Sequence, residues 1–144
     1  MRKLVTGVDG AGSSCVVKHV EMPFEPADPA RPGRTRAEIF ATEVGPPPAR
    51  PAGKGDHPDL GVAPGLVRWQ VMRFGPEFAM GMHHTDTVDF DMVLEGSVEI
   101  VLDDGAHRLG PGDCVVVTGV DHAWKAGPDG FVMSVTVIGT PPRT

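Results

Sequence analysis

The residues with the most chemistry in this sequence stand together in the segment Met82-His83-His84-Thr85-Asp86-Thr87-Val88-Asp89-Phe90-Asp91. Imidazoles beside carboxylates can exchange protons close to neutral pH, because a neutral His titrates near it and a neighbouring carboxylate shifts that balance further. In an extended chain alternate side chains share a face. His83, Thr85 and Asp89 therefore point one way, and His84, Asp86 and Phe90 the other. One face must line the interior, and a slip of one residue would exchange them. We place His83 and Asp89 inside and keep His84 and Asp86 as the alternative pair.

The elements that must position these residues read as short strands. From Leu66 onward, Val67-Arg68-Trp69-Gln70-Val71 alternates apolar and polar, and a strand spans Asp89 to Leu94. Gly96 turns into Ser97–Leu102, Asp103-Asp104-Gly105 closes that hairpin, and His107-Arg108-Leu109 starts the return. Gly110-Pro111-Gly112-Asp113 leads into Cys114–Val117. After His122-Ala123-Trp124 the turn Gly127-Pro128-Asp129-Gly130 precedes a last strand, Phe131 to Ile138. Strands at about ten-residue spacing with turn signals between them predict an antiparallel sandwich or barrel. Ahead of it, residues 3 to 20 form a hairpin around Gly7–Ser14, and 21 to 36 pass through four prolines. Residues 37 to 44 make a short strand or one helical turn, and 45 to 64 are a Pro/Gly-rich arm, either loose or laid over the barrel. The expected organisation is a hairpin and arm over 1–65 and a barrel core over 66–144, one domain overall.

Bulk properties agree with that picture. A chain of 144 residues supports one core that buries roughly two thirds of the unfolded surface. Its 19 glycines and 15 prolines leave little room for a long helix. With 19 acidic against 13 basic residues the formal charge is -6, and no Lys/Arg cluster exists to neutralise phosphates, so no nucleic-acid partner is expected. Cys15 and Cys114, the only two, sit among valines, which argues against a disulfide framework and for a reducing compartment. No apolar run approaches the ~20 residues of a membrane span, and the opening Met1–Val5 turns polar before a signal-peptide core could form. A cytoplasmic protein without membrane contact is the expectation.

Two patterns around the His residues resemble the cupin superfamily. Its first motif asks for His-X-His, an acidic residue a few positions on, and a Gly beyond; here these positions hold His83, Thr85, Asp89 and Gly96. The leading Gly is missing at the required spacing. The second motif is echoed by Gly112-Asp113, Thr118 at its Pro position and His122, one residue early, with Ala126 in place of the Asn. The resemblance covers residues 66 to 139 and implies an all-β fold, a single-domain, jelly-roll-like antiparallel barrel. It further implies a reduced metal site of His83, Asp89 and His122, suited to Fe, Zn, Mn or Ni, with Thr85 in the fourth place. In a metal-free version the same three residues exchange protons directly.

Around that centre, Trp124 and Trp69 could supply aromatic walls, and Arg73 or Arg68 could clamp a substrate carboxylate if they face inward. His19, His57 and His107 carry no assigned role. Asp103, Asp104 and Asp113 are expected to bond amides of their own turns. The function that follows is a small-molecule enzyme performing metal-assisted proton transfer on a carbonyl or hydroxy-acid compound, as isomerase, cyclase, dehydratase or decarboxylase. A non-haem iron dioxygenase and a non-catalytic ligand-binding barrel are the alternatives. The hairpin and arm can add strands to a neighbouring barrel, so a homodimer is expected.

Overall fold

A computed structural model describes residues 1–26, 35–40 and 53–142. Their regular structure is all strand: β1 (Arg2–Val8), β2 (Ser14–Glu21), β3 (Glu25–Pro26), β4 (Thr35–Arg36), β5 (Val67–Phe74), β6 (Ala79–His83), β7 (Thr87–Leu102), β8 (Gly105–Leu109), β9 (Cys114–Val117) and β10 (His122–Gly139). Among the described residues no helix is long and apolar enough to cross a membrane.

Valine-rich runs fill the middle of the sheet because branched side chains pack well on a pleated surface. Eight strands join in the order β2-β1-β9-β7-β10-β5, with β6 on β10 and β8 on β7. All pairings are antiparallel except β1 with β9, where Leu4 lies opposite Val115. The N-terminal hairpin thus continues the same sheet as the barrel strands. Buried Leu4, Val93, Ile100, Leu109, Val117 and Phe131 belong to one apolar cluster.

The long strands β7 and β10 each change which side chains face inward. On β7, Val93 is inside, and after Gly96 the inward set becomes Val98, Ile100 and Leu102. On β10, His122 is buried, and beyond a register shift between Ala126 and Phe131 the inward set becomes Phe131, Met133, Val135 and Val137. Extra residues in one strand bend it and flip the alternation, as bulges do. The turn expected at Gly127–Gly130 is therefore a bulge within one continuous strand, and the two strands expected on either side of Gly96 are likewise one. Gly-Pro-Asp-Gly has turn composition, but the pairing of β10 with β7 resumes on the far side without a reversal.

Two further expectations change. Ala37–Phe40 lie outside any strand, and residues 41–44 fall outside the described residues. Asp103 and Asp104 do not serve only their own turn: Asp103 accepts from the Ser14 N–H at 2.8 Å and Asp104 from the Val16 N–H at 2.8 Å, fastening β2 to the β7–β8 turn. Asp113 accepts from the Gly110 N–H at 3.0 Å, as expected, and also holds Arg2 at 2.8 Å.

The crossing of the two bent strands needs glycine. Gly96 has φ 72° and Gly130 φ 73°, and a Cβ on Gly96 would collide with the Gly130 carbonyl oxygen. Gly96→Ala is expected to lower unfolding free energy by about 3 kcal/mol or more, combining left-handed strain with a backbone clash. Urea unfolding checks this, and a loss below about 1 kcal/mol would show that the crossing tolerates a side chain.

Candidate functional site

His83 ends β6 and His122 begins β10, and the two are direct partners in the antiparallel register. Their rings lie 4.1 Å apart between centroids at 50°, and the residues are 5% and 2% exposed. The same local bond fixes both. Nδ1 of His83 lies 2.9 Å from the Gly81 carbonyl oxygen, and Nδ1 of His122 lies 2.8 Å from that of Val120. A carbonyl only accepts, so each neutral ring carries its proton on Nδ1 and its lone pair on Nε2. Trp124, half-buried, stands edge-on to His122 at 5.7 Å and 84°.

A polar line runs along the start of β7. Thr85 and Thr87 are buried, with their hydroxyl oxygens 2.7 Å apart. Thr87 donates to Asp89. Burial pushes the Asp89 carboxyl up to about 6, against the opposing Thr87 hydrogen bond. Asp91, on the same face of the strand, is raised well above the usual carboxylate range by burial and then by the charge of Asp89. Oδ1 of each carboxyl is buried without a hydrogen-bond partner among the described residues.

The sequence expectation joined His83, Asp89 and His122 around one metal ion. Two imidazoles presenting Nε2 lone pairs suit an ion, but a centre of two imidazoles and one carboxylate needs that carboxylate beside them. Among the described residues no group of three His, Cys, Asp or Glu side chains is arranged to hold a metal. The expected ligand set is therefore not assembled. Asp89 lies beyond the bend at residues 84–86, where strict alternation from His83 no longer applies, and its near neighbour is Asp91.

Two further expectations fail for a simpler reason. Odd-numbered residues of β5 face outward, so Trp69 is 77% exposed and bonds Ser134 through Nε1 at 2.9 Å, outside the barrel. Arg73 shares that face and pairs with Glu95 at 3.3 Å in solvent.

Both faces of the His83-His84 pair are buried, which alternation alone excluded. His84 is 7% exposed because residues 53–64 cross the barrel mouth and cover it. The Asp121 carboxylate accepts from the backbone N–H of Lys54 at 2.6 Å and of Gly55 at 3.0 Å. Asp56 bridges to His83, its N–H donating to the Met82 carbonyl at 3.1 Å, while the His84 N–H donates to the Asp56 carbonyl at 2.8 Å. His57 stacks on His84 at 4.8 Å and lies 3.1 Å from Asp86, and His84 Nδ1 is 3.3 Å from Asp121. Farther along, Leu60 and Val62 pack against the core. Burial works to raise the Asp121 carboxyl, but the two N–H donors and His84 outweigh it and hold it below the usual carboxylate range. Sequence reading passes over His57 and Asp121; the available signal is Gly53 and Gly55, glycines close enough to the barrel that a Cβ on Gly55 would meet the Met82 oxygen at 2.6 Å.

No protein-family model matches the chain. Over 45 residues it is 42% identical to phomopsin biosynthesis cluster protein C' of Diaporthe leptostromiformis, a match covering 31% of this chain and 24% of that protein. Over 71 residues it is 34% identical to oryzines biosynthesis cluster protein J of Aspergillus oryzae, covering 49% and 39%. The chain thus spans well under half the length of these curated relatives. Among solved structures it is similar to a cupin-superfamily sugar phosphate isomerase from Silicibacter pomeroyi, at 26% identity, 52% coverage of each chain and TM-score 0.46. A cupin superfamily protein from Desulfitobacterium hafniense gives 20% identity, coverage of 52% and 68%, and TM-score 0.46. The strand pairing itself brings the two His-bearing segments side by side within an antiparallel sheet. The fold is an all-strand domain built on one largely antiparallel sheet.

The protonation of this site and the hold of its strap can each be measured. A carboxyl with a raised folded-state value binds its proton more tightly folded than unfolded, so its stabilising effect is complete below the unfolded value and fades as pH rises through the folded one. Between about pH 4 and 6 wild type should lose on the order of 2–3 kcal/mol relative to Asp89→Asn, measured by urea unfolding; parallel pH curves would show that Asp89 is not shifted. Separately, Asp121→Ala should speed amide hydrogen exchange of the 54–57 segment at least ~10-fold while core strands keep their protection. Unchanged exchange there would mean that other contacts hold the strap.

Proposed function

We propose that this domain is an enzyme that moves a proton on a small carbonyl or hydroxy-acid compound, with the His83–His122 pair as its acid–base centre. The observation that supports it most is the pair itself: two buried imidazoles, locked in one tautomer, whose Nε2 atoms are able to take up a proton. A buried His pair in which one ring receives a proton while the other remains neutral can accept from one position of a substrate and return to another. Isomerisation, cyclisation or dehydration next to a carbonyl all need that shuttle. Trp124 gives the compound an apolar surface beside His122. The expected metal ligand set is not assembled, so this reading routes the proton through side chains alone. The names of the curated relatives as biosynthesis-cluster proteins support a role in making a small molecule.

Proton transfer at carbon can be read without knowing the product. Purified protein is incubated in D2O with a panel of 2-oxo and 2-hydroxy acids, and loss of the α-proton signal is followed by NMR. Wild type should exchange at least one class of compound, and His83→Ala and His122→Ala should each slow it by ~10²-fold or more. Binding without exchange would instead favour a ligand-binding barrel, and exchange unaffected by either substitution would remove these residues from the chemistry.

A further inference from the structure

His83 and His122 are buried, and residues 53–64 cross the mouth beside them with Asp56 bridged to His83, so a compound needs an opening there. The near end of this strap is fastened by Asp121, through the Lys54 and Gly55 N–H groups. The far end rests on Leu60 and Val62, packed against the core, and on Arg68. Its guanidinium donates to the Leu60 carbonyl at 2.9 Å and to the Gly61 carbonyl at 3.2 Å. The strand puts Arg68 in that place. Odd residues of β5 face outward, while the even residues Gln70, Met72 and Phe74 are half-buried on the inner face. Arg68 is the next even residue toward the rim, opposite Val137, which in turn lies opposite Asp89. Among the described residues no carboxylate comes within ion-pair distance of its guanidinium.

We propose that Arg68 recognises the carboxylate of the compound and is the latch of the strap: the carboxylate takes the guanidinium from the Leu60 and Gly61 carbonyls and so frees that end of the segment. This rests on the reading above that the compound is an acid acted on by the His pair. The exchange is favourable on three counts. A carboxylate accepts two parallel N–H bonds from the guanidinium fork, and such charge-assisted bonds are roughly twice as strong as those to neutral carbonyls. The carbonyls given up belong to half-buried Leu60 and exposed Gly61, where water replaces the lost donor. A chain of formal charge -6 repels an anion, so an acid is retained only where a cation meets it at the mouth. Lys54 also stands at the mouth, but it is a point charge on a flexible stem, carried by the strap itself, and it travels with the segment it would have to release. Arg73 is on the outer face and already paired with Glu95.

Calorimetric titration of the full chain with pyruvate, lactate and phenylpyruvate, each beside its uncharged primary amide, tests the recognition. Wild type should bind at least one acid at least ~10-fold more tightly than its amide, Arg68→Met should lose that preference, Arg68→Lys should recover part of it, and Lys54→Met should keep it. Because Arg68 is exposed, circular dichroism should show unchanged folding in its variants. Amide hydrogen exchange of the 58–64 segment reads the latch: the acid should speed it at least ~10-fold in wild type, the amide should leave it unchanged, and in Arg68→Met it should be fast already and indifferent to both. Equal binding of acid and amide, a preference that survives Arg68→Met or follows Lys54, or exchange in 58–64 that the acid does not speed would overturn the proposal. An acid that binds through Arg68 and frees the segment, yet keeps its α-proton in D2O, would support the latch and sink the acid–base reading alone.

Discussion

Polar groups buried among valines are the constraint on which the rest of this structure depends. A buried imidazole nitrogen left without a partner costs about 1–3 kcal/mol, and the barrel meets that demand twice in the same way. His83 and His122 each turn Nδ1 onto the carbonyl two residues earlier, 2.9 and 2.8 Å away. The bond that makes burial tolerable also selects the tautomer. It leaves both Nε2 atoms as bases, and pairing of β6 with β10 sets the two rings 4.1 Å apart. Burial and tautomer come from one local geometry, repeated on two neighbouring strands.

The carboxyls meet the same constraint differently. Half-buried Asp89 and buried Asp91 each keep one buried oxygen unpartnered among the described residues, and burial raises both carboxyls. Asp121 takes the opposite course: its carboxylate stays charged by collecting two backbone N–H groups from the segment that crosses the mouth. The domain therefore contains two carboxyls raised by burial and one carboxylate held below the usual range by its donors within a short stretch of fold. Environments that push similar groups apart in proton affinity are how one scaffold assigns acid and base roles.

Much of this is legible in the residues. The barrel follows from Val-rich strands separated by Gly and Pro, and the meeting of His83 with His122 is what the resemblance of the two His-bearing segments to the cupin motifs implies. Alternation puts His83 and Asp89 on one face, but it holds only along an unbroken strand, and the chain bends at residues 84–86 before β7 begins. Period two also divides β5 into two faces without saying which is inside, so an inward Trp69 and Arg73 is one of two equal choices, and the odd face is the outward one. Gly127–Gly130 has the composition of a turn, and only the cross-strand register reveals a bulge. The strap is the least legible part: His57 reaches His84, and Asp121 reaches Lys54, through contacts between residues far apart in sequence, with only the glycines at 53 and 55 to hint at close approach.

The most direct test of the account is the protonation pattern of the two buried rings, read by two-bond 1H–15N correlation NMR of 15N-His-labelled protein at neutral pH. The account predicts that His83 and His122 both carry the proton on Nδ1, with unprotonated Nε2. An Nε2–H tautomer in either ring would break the bond to the Gly81 or Val120 carbonyl and contradict the proposed acid–base pair.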